Sequence, residues 1–251
     1  SGGMYKTDPS NYLCMLHPRI NGVICVSSPV TVNVKNKVRS SIKSKVVTIY
    51  KGHDLNWYQD PAVDLTTLGS DDKYFNILCV GSPRPHKGTH ILLDAAKELS
   101  DIIDLRIILV GDNIEKQPFI DQIKNSGMAE RIILTGFRSD VPAIAKACDL
   151  LILPSLSKEG LTRTVLESLS NGTPVVSSAN DGVLESIENG VNGYLVPIGD
   201  ASAIAEKTRM LYNDKATLAK LTRNATNVIT EKMSHTKTVI NMEEYFLNIN
   251  H

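Results

Sequence analysis

Nowhere does the chain reach the ~18 consecutive apolar residues that a membrane-spanning helix needs. No signal peptide is visible, and Ser1-Gly2-Gly3 reads as a scar of recombinant expression. The four cysteines, Cys14, Cys25, Cys79 and Cys148, make no CxxC pair and no even ladder of spacings, so no disulfide framework is expected. Cys25 and Cys79 sit inside apolar, strand-like runs and read as buried thiols in a reducing compartment. The expected location is therefore the cytoplasm, with at most peripheral contact at the inner face of the membrane. Neither GxxxxGK(S/T) nor GxGxxG occurs, which argues against a P-loop ATPase and a nicotinamide oxidoreductase.

A net charge is also missing: 27 basic residues balance 27 acidic ones, so the total gives no sign of a nucleic-acid partner. The distribution is uneven. No Asp or Glu lies between Pro9 and His53, while Arg19, Lys35, Lys37, Arg39, Lys43, Lys45 and Lys51 do. That stretch reads either as a solvated basic surface or as one drawn to anionic lipid.

What the chain does have is 251 residues, 42% of them hydrophobic, enough for one large domain or for one domain and part of another. Short apolar runs recur: GVICVSS (22–28), KVVTIY (45–50), NILCVG (76–81), LRIILVG (105–111), RIILTG (131–136), DLLILPS (149–155) and PVVSS (174–178). They are continuous rather than alternating, as strands covered on both faces are. Helical periodicity lies between them: THILLDAAKEL puts Ile91, Leu92, Ala95, Ala96 and Leu99 on one stripe, and VPAIAKA repeats the pattern in miniature. The expectation is an α/β fold, a Rossmann-like parallel sheet with helices on both faces. Residues 1–55 hold two strands and one helix, too little for a core, and read as the tail of a domain whose larger part is absent. Residues 56–73 read as a polar linker, 74–230 as a complete domain, and 231–251 as a docking helix with Val239, Met242, Tyr245, Phe246 and Ile249 to pack.

Gly81, Gly111 and Gly136 end three of the runs, either as ordinary turns or as close approaches to a ligand beyond the strand ends. After Gly81 and Ser82, a loop carries Arg84, His86 and Lys87 before Gly88-Thr89 opens a helix. Arg84 and Lys87 beside a helix amino end read as a diphosphate site or as two exposed cations, with His86 a bystander. The segment SKEGLTRTVLESLSNGTPVV (157–176) sets Glu159 and Glu167 eight residues apart, about 12 Å along a helix. From Thr162 to Asn171 it reads as helix, Leu161, Val165, Leu166 and Leu169 facing inward and Arg163 and Glu167 together on another face. That pair is either a surface i,i+4 contact or part of a site where carboxylates grip paired hydroxyls.

EGLTRTVLESLSNGTPVV resembles the E-x7-E motif of retaining GT-B glycosyltransferases, chiefly family 4 or group 1. VGSPRPHKGTHILLDAAKEL, LRIILVGD, RIILTGF, CDLLILPS and NDGVLESIENGVNGYLVP follow the same family order, so the likeness runs almost continuously over residues 76–212. It implies one half of a GT-B fold and a nucleotide-diphosphate sugar, such as a UDP- or GDP-sugar, as donor. The acceptor would be a polysaccharide or glycolipid. By the same resemblance Glu159 contacts the transferred sugar, and Gly160, Leu161 and Thr162 offer backbone N–H groups. Glu167 binds the ribose, Gly136 and Phe137 border the base, and Lys87 neutralises the leaving diphosphate with no metal required. The chain departs from the family in two places. Ser82 follows the strand-end glycine where the family has arginine, which here is Arg84, and Arg163 replaces a small or apolar residue. The family's amino-terminal domain supplies most of the acceptor site, including a histidine that neither His17 nor His53 matches. The resemblance thus also admits a non-catalytic subunit that needs a separate amino-terminal partner, and, less readily, a nucleotide-sugar epimerase.

Overall fold

The computed structural model describes residues 15–157 and 161–249. Its centre is a six-stranded, wholly parallel sheet: β3 (Phe75–Val80), β4 (Leu105–Val110), β5 (Ile132–Gly136), β6 (Leu150–Leu153), β7 (Val175–Ser178) and β8 (Gly193–Val196), in the spatial order β5-β4-β3-β6-β7-β8. Successive strand residues point to opposite faces, so one continuous apolar run feeds two cores. Ile77, Cys79, Ile107, Leu109, Leu150 and Ile152 enter one core, while Leu78, Ile108, Val110, Leu151 and Leu153 enter the other. On the first face, Thr89–Glu98 and Ala201–Asn213 cover the sheet with Leu92, Leu93, Ala96, Ile204 and Leu211. On the second, Val141–Ala147 and Arg163–Ser170 contribute Ile144, Ala145, Val165, Leu166 and Leu169. This is the doubly covered α/β sheet that the runs predict. Strand β8 is an addition: Tyr194 and Leu195 are only half-buried, and its four residues carry too weak an apolar run to be read as a strand. Burial also pushes the Cys79 thiol up to about 12 and raises those of Cys25 and Cys148. Cys14 lies outside the described residues.

The first two strands stand apart. β1 (Val23–Cys25) pairs in parallel with β2 (Val46–Thr48) as a separate two-stranded sheet, with the helix Ser28–Lys35 between them and a small core of Cys25, Val34, Val38, Ile42 and Val46. Within the basic stretch, Arg39 donates to the carbonyls of Pro18 and Ile20, and Lys45 to that of Ile249. Lys35, Lys43 and Lys51 are exposed. The unit is tied to the large sheet by Glu185, whose carboxylate accepts hydrogen bonds from the Ser28 N–H at 2.9 Å and the Tyr50 hydroxyl at 2.7 Å.

The segment expected as a linker packs closely. Asp54 and Asp64 cap the one-turn helices Leu55–Tyr58 and Leu65–Leu68, Val63 N–H donates to the Ala143 carbonyl, and Leu65 is buried in the second core. The terminal helix, His235–Ile249, docks against the β1–β2 unit: Thr238 donates to the Tyr50 carbonyl at 2.8 Å and Tyr245 to the Lys45 carbonyl at 2.6 Å. Of the stripe expected to pack, Val239, Met242 and Phe246 remain exposed, because the contact runs along the Thr238–Tyr245 side of the helix. Among the described residues no helix is long and apolar enough to cross a membrane.

Candidate functional site

The strand order reverses between β3 and β6: the chain builds outward through β4 and β5, then returns to the other side of β3. In sheets of this kind the crevice beside the loops leaving the carboxyl ends of the strands at such a reversal, here β3 and β6, is the usual ligand position. Both segments singled out in the sequence emerge here. After β3, Gly81 N–H donates to Val110, and Pro85–Lys87 makes a single tight turn. Gly88, in the left-handed conformation, starts the helix Thr89–Glu98. Lys87 is half-buried and close enough to Cys79 to oppose the upward shift that burial imposes on its thiol, whereas Arg84 is exposed. The Ser82 hydroxyl is buried without a hydrogen-bond partner. After β6, Pro154 and Leu156 run against that turn, with Leu156 N–H donating to His86 at 2.8 Å.

Lys158, Glu159 and Gly160 lie outside the described residues, so the expectations for Glu159 and Gly160 have no structural counterpart. Leu161 is half-buried, Thr162 is buried, and the helix Arg163–Ser170 follows as predicted. Arg163 and Glu167 do pair, Nε donating to Oε1 at 2.6 Å. The pair is not a surface contact of two mobile chains: Arg163 is 75% exposed but Glu167 only 7%. A carboxylate so withdrawn from water needs partners, and here it borders space rather than core. A hollow of about 260 Å³ is lined by Glu167, Arg163, Asp140, Pro142, Trp57 and Tyr58, among others. Asp140 is itself held by Arg138 through two contacts of 2.8 and 2.6 Å, which keep its carboxyl below the ordinary range.

Gly136 ends β5 beside Gly111, whose N–H donates to its carbonyl. Phe137 projects outward, 73% exposed, and is not among the residues lining the hollow. Neither are Arg84 and Lys87. The cationic turn is joined to the loop leaving β6 by the His86–Leu156 hydrogen bond, and the Glu167 hollow is lined by the helix that follows that loop. Trp57 and Tyr58 have no counterpart in the sequence reading. Their only signal was a pair of aromatics in an otherwise polar connecting stretch.

Behind Tyr58 sits His53, 3% exposed, sharing a 2.5 Å hydrogen bond between its Nδ1 and the Tyr58 hydroxyl. Its backbone is clamped to the start of the terminal helix, His53 N–H donating to Met233 and His235 N–H to His53. Burial, aided by the charges of Lys51 and Arg163, lowers the His53 pKa to about 4. Burial and then the Glu167 charge push Tyr58 up to about 12. An unfolded chain takes up the His53 proton near 6.5, so stability should fall as pH drops from about 6.5 to 4, by on the order of 3 kcal/mol. Thermal melts at stepped pH should show this loss, and His53→Gln should flatten that part of the profile.

The comparisons with known proteins come from both sequence and structure. The model of the family described as "Glycosyl transferases group 1" matches residues 64–228, more than half of the chain. The chain belongs to this family. Group 1 relatives include the Escherichia coli UDP-Gal:α-D-GlcNAc-diphosphoundecaprenol α-1,3-galactosyltransferase, 28% identical over 82% of this chain and 54% of its own length. An uncharacterized glycosyltransferase of Methanocaldococcus jannaschii is 28% identical over 89% of this chain and 58% of its own. Among solved structures, Anabaena HepE in complex with UDP superposes with a TM-score of 0.80 at 27% identity, covering 90% of this chain and 63% of HepE. The group 1 chain described here spans about half the length of the curated relatives it matches. Its six-stranded sheet is the Rossmann-like, GT-B-type unit of that family.

Proposed function

We propose that this chain is the donor-binding half of a retaining glycosyltransferase of the family 4 type, taking a UDP- or GDP-sugar and serving transfer of a hexose to a glycan or lipid-linked acceptor. The observation that carries the reading is Glu167: a withdrawn carboxylate, paired with Arg163, on the wall of an open hollow of about 260 Å³. In this reading Glu167 accepts hydrogen bonds from the ribose hydroxyls, and the diphosphate lies toward Lys87 and the amino end of Thr89–Glu98. Lys87 and that helix end offset the charge that grows on the leaving diphosphate, the role a metal ion would otherwise fill. Glu159 and the Gly160–Thr162 backbone hold the sugar. HepE is supporting company, since its structures include complexes with UDP and with UDP-glucose. The acceptor class draws on the galactosyltransferase relative, named for a diphosphoundecaprenol-linked sugar.

Isothermal calorimetry against a panel of UDP- and GDP-sugars should give saturable binding by at least one member, and the affinity should persist in EDTA. Binding by none of them would overturn the reading. Binding that EDTA abolishes would remove its metal-independent part.

A further inference from the structure

We propose that the segment Leu55–Tyr58, outside the strands and helices that form the sheet domain, is part of the nucleoside site: Trp57 supplies the ring on which the base stacks, and Tyr58 is a positioning residue that sets the wall beside Glu167. The inference rests on the donor-binding reading above and adds residues to that site.

Geometry carries it. Trp57 and Tyr58 are separated from Arg163 and Glu167 by more than a hundred residues, yet all four line one hollow. A base joined to a ribose held by Glu167 has to lie within that hollow or at its mouth. Trp57 and Tyr58 are the two lining residues that offer an aromatic face, and Phe137 is not in the lining. Trp57 is 52% exposed, so about half of the residue is open to solvent. Its other contacts are fixed: the ring centroid stands 5.2 Å from His235, edge-on, and 5.8 Å from His53. His53 in turn cannot drift, because its N–H and carbonyl are both tied to the 233–235 segment, and its ring holds the Tyr58 hydroxyl. An aromatic face held in place before the ligand arrives loses little entropy on stacking. Tyr58 and Glu167 line the same hollow, so moving the Tyr58 ring would alter the surroundings of the carboxylate that grips the ribose.

Trp57 is the sole tryptophan of the chain, which makes it its own reporter. Titration with UDP and, separately, GDP should change its fluorescence saturably, with the dissociation constant that calorimetry gives. Trp57→Leu should weaken nucleotide affinity about tenfold while the protein stays folded, with the melting temperature lowered only by the loss of the His53 and His235 ring contacts. Tyr58→Phe, which keeps the ring but frees it from His53, should weaken affinity several-fold and shift the maximal Trp57 emission change, a signature that a loss of stability alone would not produce. Calorimetric binding with silent emission and a Trp57→Leu affinity within twofold of the parent would overturn this inference and leave the donor-binding reading standing. No binding of either nucleotide would overturn both.

Discussion

Glu167→Ala should lose nucleotide affinity by on the order of 100-fold or more while the protein stays folded. The two halves of that expectation come from the same asymmetry. Removing the carboxylate takes away an acceptor that two vicinal hydroxyls share, and charge-assisted hydrogen bonds in a partly dry hollow are the strong ones. Arg163, the partner left behind, is 75% exposed and hydrates itself, so stability should change by less than about 1 kcal/mol. The reciprocal substitution behaves differently. Arg163→Ala leaves Glu167 withdrawn and without its 2.6 Å donor, which should cost about 1–2 kcal/mol of stability and weaken binding less than the glutamate change does. Calorimetry on both variants, with urea melts alongside, separates them. Equal affinity of Glu167→Ala and the parent would take the carboxylate out of the site.

The architecture was legible because its signal is local. Runs such as NILCV and LRIILV, short, rich in β-branched residues and closed by glycine, read as strands covered on two sides, and the split of Ile77 from Leu78 and of Ile107 from Ile108 into opposite cores is the structural form of that continuity. The i,i+4 spacing of Arg163 and Glu167 likewise announced a pair. Burial of one partner is a different kind of fact. It depends on the helix Val141–Ala147 and on Trp57 and Tyr58, none of which is near Glu167 in sequence. The packing of the 56–73 stretch was hidden for a related reason: its Asp, Gly and Ser content describes its solvent side, while Leu65 and the Val63–Ala143 hydrogen bond fasten its inner side. Similarly, the terminal helix shows its periodicity in sequence, but which side meets the β1–β2 unit is decided by Tyr245 reaching the Lys45 carbonyl, a contact across 200 positions.

Gly88→Ala should be strongly disruptive, costing about 3 kcal/mol or more and lowering nucleotide affinity at least tenfold in whatever protein remains folded. Two terms add. Gly88 sits at φ +68°, where an L side chain costs about 1 kcal/mol or somewhat more. A Cβ there would also stand 1.9 Å from the Pro154 carbonyl oxygen, a backbone atom with no rotamer to yield. The turn carrying Lys87 and the loop leaving β6 would have to separate, which pulls against the His86–Leu156 hydrogen bond that joins the two sides of the crevice. Gly136→Ala is the matched control: its φ is +67°, but a Cβ would meet nothing within 4 Å. Urea denaturation should therefore show the conformational term alone, about 1 kcal/mol, for Gly136→Ala and the larger loss for Gly88→Ala. If the two variants proved equally stable, the contact between the β3 and β6 loops would not constrain the crevice, and Lys87 would have no fixed position relative to the helix that bears Glu167.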